Sequence, residues 1–202
     1  SAVSLSFAIP RLLLIPIAGA WADRHDRKRI MMAMDTANGI VSALLAVLVI
    51  TNSLQLPSLL VLLVFHSIFG VFHNSAFDAS YAMIVPEHKL PRANGMMQTI
   101  WSLSGIISPS IAAAIVALPT LLRQSGTTGS IAALPDGTAL AMLIDGATFV
   151  IAAAALFFLE IPSPHRSDLR DDQGRARKSL LADVREGARY IWDRRPMLWL
   201  LG

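Results

Sequence analysis

The sequence predicts an all-α integral membrane protein, a bundle of apolar helices joined by short polar turns. Three observations carry that prediction. Of 202 residues, 54% are hydrophobic and 15% charged, against about 25% charged in an ordinary globular domain. The charge is unevenly spread: between Ile30 and Val85 only Asp35 and Asp78 are formally charged, whereas 165–195 is crowded with charges. Two long apolar runs also meet at the very short stretch Asp23-Arg24-His25-Asp26-Arg27-Lys28-Arg29. Long uncharged spans with charge collected in loops are what a bilayer imposes. A soluble all-helical protein is the alternative, but nothing in a soluble domain demands that segregation.

A span needs about 20 apolar residues, and the chain supplies five complete ones. The first runs 3–22 and contains Pro10 and Pro16, which membrane helices tolerate when neighbours re-satisfy the freed carbonyls. The second runs 31–51 and leaves at Asn52-Ser53. The third, 57–85, exceeds the hydrocarbon thickness and must tilt or project. The turn Pro86-Glu87-His88-Lys89-Leu90-Pro91-Arg92 closes it. The fourth is 93–118, followed by a polar connection over 119–138 with the turn signal Pro135-Asp136-Gly137. The fifth is 139–161. Beyond it, 163–174 reads as a Pro- and charge-rich linker within a loop spanning 162–196. About 178–194 reads as an amphipathic helix, with Leu180, Leu181, Val184, Ala188 and Ile191 at helical spacing. A further span is expected to start within 197–202. The chain starts and stops inside apolar runs, so a fragment of a longer protein is expected.

Nearly all Lys and Arg lie in 23–29, 86–92 and 162–196, while 52–56 has none and 119–138 has Arg123 alone. The positive-inside rule makes the first group cytoplasmic. Each of these loops is two spans from the next, so the assignment is consistent, and it points to a multi-pass protein of a plasma membrane. The net charge of +3 is explained by those loops, and no soluble basic face points to nucleic acid. Without cysteine there are no disulfides and no thiol chemistry. His66 and His73 share a helix face but lack a third ligand, so no metal site is expected. The methionines at 31, 32, 34, 96 and 97 read as packing.

Ionisable groups inside spans are costly, on the order of 3 kcal/mol each near the midplane, and therefore mark function. At ~1.5 Å per residue, Arg11 lies ~12 Å, His66 ~14 Å and Asp145 ~10 Å from the outer ends of their helices. The three share a depth and can form one polar cluster. Asp35 and Asp78 instead lie toward the inner ends, within reach of the cations at 24–29. The plainer alternatives are a structural Arg11–Asp145 pair and a neutral His66 bonding between helices. In the loop, Gly19 among Ala18, Ala20 and Ala22 permits close helix approach. Asp23 at a helix C-terminus meets an unfavourable dipole and needs a partner, either Arg24 or Arg27 or the positive end of another helix. In the fourth span Gly95, Ser104, Gly105, Ser108 and Pro109 make a thin, flexible, hinge-like stretch.

The pattern Gly19-x-x-x-Asp23-Arg24-x-x-Arg27-Lys28 resembles the first signature motif of the major facilitator superfamily. Asp26 stands where that motif carries glycine, a departure shared with a branch of macrolide and enterobactin exporters. The spacing of Gly95, Ser104, Ser108-Pro109 and Ala112-Ala113 resembles the family's antiporter motif, with Ser and Ala for most glycines. The runs Ile144-Asp145-Gly146-Ala147-Thr148-Phe149 and Leu180-Leu181-Ala182-Asp183-Val184-Arg185-Glu186-Gly187 resemble the same branch. The resemblance covers essentially the whole chain, as helices two to six and the central loop of a twelve-helix protein.

It implies that Gly19, Asp23, Arg24, Arg27 and Lys28 form a conformational latch against the absent second half; the plainer alternative is a topology anchor. It also implies that the 57–85 helix lines the central cavity, which favours His66 over Asp145 as a proton-carrying or substrate-facing group. The expected function is proton-coupled efflux of a drug-like or siderophore-like compound, with no cofactor beyond the proton gradient. The expected partners are the lipid bilayer, a small-molecule substrate and the second half of the protein. A non-transporting sensor or scaffold on the same fold is the alternative. A membrane-embedded enzyme is disfavoured, because no zinc-protease motif, serine elbow or pair of catalytic acids on one helix face is found.

Overall fold

The computed structural model describes residue 11, residues 14–159 and residue 161. The outer part of the first span, the 162–196 loop with its amphipathic helix, and 197–202 lie outside the described residues. Within them the protein is entirely helical: α1 (14–22), α2 (Arg27–Ile50), α3 (Leu56–Ile84), a 3₁₀ turn at Glu87–Lys89, α4 (Leu90–Gln124) and α5 (Thr138–Phe158). Four of these are long and apolar enough to cross a membrane.

Each terminus has a local cause. Asp26 caps α2 by accepting the Arg29 N–H at 3.1 Å, which satisfies a donor the helix start leaves open. Cations 27–29 therefore belong to the first turn of α2 and not to the loop, which shrinks to residues 23–26. α2 ends in a Schellman turn: Asn52 takes φ 53°, Ser53 N–H reaches Leu48 O at 2.9 Å and Asn52 N–H reaches Val49 O at 3.0 Å. At the start of α3 the Ser58 hydroxyl donates to Gln55 O (2.7 Å) and accepts from Gln55 N–H (3.2 Å).

The fourth helix departs from expectation at its outer end. It runs to Gln124, with both Pro109 and Pro119 inside it, so the connection begins at Ser125 rather than at Pro119. Proline at 119 cannot donate to Ile115 O, yet the helix persists because the following loop folds back onto that turn. Gly137 N–H donates to Val116 O at 2.9 Å. A Cβ at Gly137 would fall 2.0 Å from Ile115 O, so only glycine permits this return. Gly126, at φ 75°, terminates α4 in a second Schellman turn, with Thr127 N–H on Leu122 O and Gly126 N–H on Arg123 O.

α2 is sandwiched between α5 and α3, while α4 meets α5 more sparingly. The α2–α5 contact turns on two glycines: a Cβ on Gly39 would lie 3.4 Å from Gly146 O, and one on Gly146 would lie 3.4 Å from Gly39 O. Backbones this close are the small-residue mode of membrane helix packing. A compact apolar cluster of Ala22, Ile30, Met31 and Ala76, bordered by Met34, Phe72, Phe77 and Leu156, ties α1, α2, α3 and α5 together at the basic end. Elsewhere large apolar side chains face outward: Ile40, Val61, Ile106, Val150 and Phe158 are all more than half exposed. A water-soluble fold does not present such a surface on every side. The protein is an all-α integral membrane bundle.

Candidate functional site

A cavity of about 810 Å³ opens between α1, α3 and α4. Its wall on α3 is the stripe His66, Ser67, Gly70, Val71, Asn74, Asp78 and Tyr81, residues three and four apart on one helix face. α4 answers with Asn94, Met97, Gln98 and Trp101, and α1 with Arg11 and Ile15. The lining alternates amide, hydroxyl and charged groups with aromatic and small residues. That mixture suits an amphipathic molecule, which needs apolar contact and a few polar anchors. The His66 ring also meets the Phe149 ring edge-on, 5.8 Å between centroids.

Arg11 and His66 thus face one cavity, but Asp145 does not join them. It accepts a hydrogen bond from Ser42 Oγ at 2.5 Å, because the Gly39–Gly146 crossing turns this face of α5 onto α2. The expected triple cluster is corrected to a pair in the cavity and a separate α2–α5 contact. Asp78 likewise lines the cavity. Asp35 is 3% exposed, with Oδ1 2.8 Å from His73 Nδ1. Its partner lies across on α3, and not among the cations at 24–29. Asn74, Tyr81, Asn94 and Gln98 escaped the sequence analysis. Their signal was present, as uncharged polar residues at helical spacing within apolar spans, but only charged groups were weighed.

At the basic end Arg27 is the centrepiece. Only 7% exposed, it donates to Ala79 O at 3.3 Å, contacts Met83 Sδ and lies 3.6 Å from Asp23. It therefore clamps the end of α1 and the start of α2 to the last turns of α3, where free carbonyls favour a cation. Lys28 does the same for α5, donating to Phe157 O at 2.8 Å with its ammonium 5.7 Å from the Phe157 ring centroid. Arg29 pairs with Asp26 at 3.5 Å. His25 stacks on Trp21 and Trp21 meets Phe72 edge-on. Asp23 keeps a side chain 59% exposed, while Arg24 is partly buried. A Cβ on Gly19 would meet nothing within 4 Å, so the close helix approach expected there is not made by the described residues.

In α4, Ser104, Gly105, Ser108 and Pro109 line a shallow groove of about 500 Å³ with Trp101 and Ala112, and Gly95 adjoins open space. At the far end Arg123, in the last turn of α4, organises the loop that follows. It donates to the carbonyls of Ala132, Leu134 and Pro135 and to the Thr120 hydroxyl. There Thr138 N–H donates to Asp136 Oδ1 at 2.8 Å, which holds the Asp136 carboxyl below its ordinary range. Among the described residues no group of three or more potential metal ligands forms.

A polytopic helical bundle with a cavity of mixed polar and apolar lining between its helices is a membrane-embedded fold with room for a small molecule. The chain belongs to the Major Facilitator Superfamily, whose family model matches residues 1–202. It is 33% identical over 113 residues to macrolide efflux protein A of Streptococcus pyogenes, a match covering 56% of this chain and 28% of that protein. It is 32% identical over 111 residues to macrolide efflux protein A of Enterococcus faecalis, covering 55% and 34%. The MFS-type transporter YfiS of Bacillus subtilis, itself uncharacterized, is 26% identical over 199 residues, covering 98% of this chain and 41% of its own length. The chain therefore spans less than half the length of the curated relatives it matches. No solved structure matches it.

Proposed function

We propose that this chain is the first-half portion of a secondary active exporter that uses a proton gradient to expel an amphipathic, drug-like or siderophore-like compound from a bacterial cell. The cavity between α1, α3 and α4 is the observation that carries it. About 810 Å³ walled by Arg11, His66, Asp78, amides and Trp101 accommodates a molecule with an apolar body and a few polar groups. The efflux role of the macrolide exporters it resembles supports the outward direction. The substrate would bind across this half-cavity and the second half of the full-length protein, which also faces the groove at Ser104–Pro109. The basic end would be cytoplasmic. There Asp23, exposed and only loosely held by Arg27, is the latch toward that second half, while Arg27 and Lys28 hold the helix ends that the latch moves.

The test is transport by the full-length protein in everted vesicles, with a panel of cationic dyes and a macrolide under an imposed pH gradient. Accumulation should require the gradient and collapse with a protonophore. His66→Ala should weaken binding of the transported compound, and Asp23→Asn should slow the cycle. Identical movement in protein-containing and empty vesicles, with and without the gradient, sinks the proposal.

A further inference from the structure

We propose that Asp35 and His73 form a proton-binding site between α2 and α3, and that this pair, outside the cavity, carries the coupling proton. The inference rests on the proton-coupled export proposed above and names where the proton sits.

The geometry asks for a mobile proton. Asp35 lies in the third turn of α2, about 12 Å along the helix from Arg27, with its side chain only 4% exposed. His73 Nδ1 stands 2.8 Å from Asp35 Oδ1. Two lone pairs at that separation repel, so one of the two atoms holds a proton, either the neutral imidazole's own Nδ1–H or an added one, although Nδ1 is not aligned for a hydrogen bond to Oδ1. The remaining polar atoms point the same way. Asp35 Oδ2 is buried without a hydrogen-bond partner, and so is Oδ1 of Asn38, one turn further along the same face and itself 3% exposed. Both are acceptors. A carboxylate desolvated to this degree keeps its charge only with donors around it, and among the described residues the imidazole is its one ion-pair partner. A second proton, on Oδ2, would supply the donor that this oxygen and Asn38 Oδ1 both lack.

Surrounding charge does not fix the pair in either state. On α2 the formal charges on the basic side are Arg29, paired with Asp26, Lys28, donating to Phe157 O, and Arg27, engaged with Ala79, Met83 and Asp23. On α5 the formal charge is Asp145, engaged by Ser42. On α3 the flanking groups are His66 and Asp78, both on the cavity stripe, and Tyr81, whose hydroxyl is buried without a partner. On α1, 14–22 has no titratable residue and the described Arg11 lines the cavity. An Asp35 carboxylate facing a neutral His73 carries −1, and one added proton makes the pair neutral, the form a low-dielectric site favours.

The two members are not equally reachable. The His73 side chain is 27% exposed while its Nδ1 is buried, so the rest of the ring meets the surroundings and Nδ1 meets Asp35. A proton from the acidic side would enter through the imidazole and pass to the carboxylate. It would leave by the same ring toward the alkaline side after the helices shift. The link to cargo is mechanical: α3 carries both His73 and the cavity stripe, so the charge of the pair sets how α3 sits on α2.

The test uses the full-length protein in proteoliposomes, with a dye that it transports. Two readouts are compared, accumulation driven by a pH gradient and gradient-free exchange of labelled for unlabelled dye. Asp35→Asn and His73→Gln should lose driven accumulation and keep exchange. Acidification should raise an infrared band of a protonated carboxyl in the wild type that Asp35→Asn lacks. Either variant, inserted at the wild-type level, still accumulating dye under the gradient overturns the proposal; so does an unchanged carboxyl band, or accumulation driven by a sodium gradient that depends on Asp35. If Asp35→Asn fails to insert, His73→Gln decides on the same two readouts. If the wild type ignores the pH gradient, proton-coupled export itself is wrong, and the infrared band alone decides whether the pair binds a proton.

Discussion

Arg27 shows why a short basic motif does more than mark a membrane face. Its guanidinium is buried and reaches a backbone carbonyl and a sulfur on α3 as well as Asp23. Its Nε has no partner among the described residues. Arg27→Gln removes the donors that reach Ala79 and Asp23 and should cost about 1–3 kcal/mol, read as a lower thermal unfolding midpoint of the purified full-length protein in detergent. An unchanged midpoint would mean that the clamp carries no stability. Motif spacing alone made Asp23 and Arg27 equal partners in a latch. The structure separates them, because one carboxylate stays exposed while the guanidinium is taken up by the end of α3. Nothing in the spacing could reveal this, since Ala79 O and Met83 lie more than fifty residues away and offer no charge to notice.

At the scale of elements, the α2–α5 crossing depends on two hydrogens where other residues carry side chains. Gly146→Val would press a branched side chain against Gly39 O and Ser42 Cβ, 3.4 and 3.5 Å from the site of its first carbon. The helices must then separate, at a cost of about 1–3 kcal/mol. Disulfide trapping between cysteines introduced along facing positions of α2 and α5 should slow relative to the wild-type spacing, and undiminished trapping would show that the crossing tolerates bulk. The consequence should reach Asp145, whose bond to Ser42 lies just beside the crossing. Both glycines stood in plain view in the sequence. Their pairing did not, because a single glycine in an apolar span reads equally well as packing, kink or accident. The extension of α4 past Pro119 was hidden for a related reason. Proline is a helix-ending signal along the chain, and only the structure shows the loop returning to that turn, with Gly137 N–H on Val116 O.

For the molecule as a whole, orientation is the property most directly testable, and residues 1–202 contain no cysteine, so only cysteines beyond them need replacing first. In the full-length protein, His25→Cys and His88→Cys should react with an impermeant maleimide only from the cytoplasmic face. Ser53→Cys and Thr128→Cys should react only from the opposite one. Reaction of positions 25 and 88 from different faces would break the up-and-down order of the bundle and with it the placement of the cavity. The contacts of α2 with α3 and α5 at their basic ends, through Arg27 and Lys28, support one common face.

Charge segregation and run length by themselves determined that lipid is the solvent, and the residues from Gly19 to Lys28 carried the resemblance to the family. These are properties of consecutive residues, and the bilayer reads consecutive residues: an apolar run either spans or it does not. What only the tertiary structure decided is which polar groups meet. Arg11 and His66 share a cavity with Asp78, Asp145 turns away to Ser42, and Asp35 finds His73, although depth alone had sorted them otherwise. Depth fixes one coordinate of a residue in a membrane. Rotation about the helix axis fixes the other, and that is set by a neighbouring helix pressing close at Gly39 and Gly146.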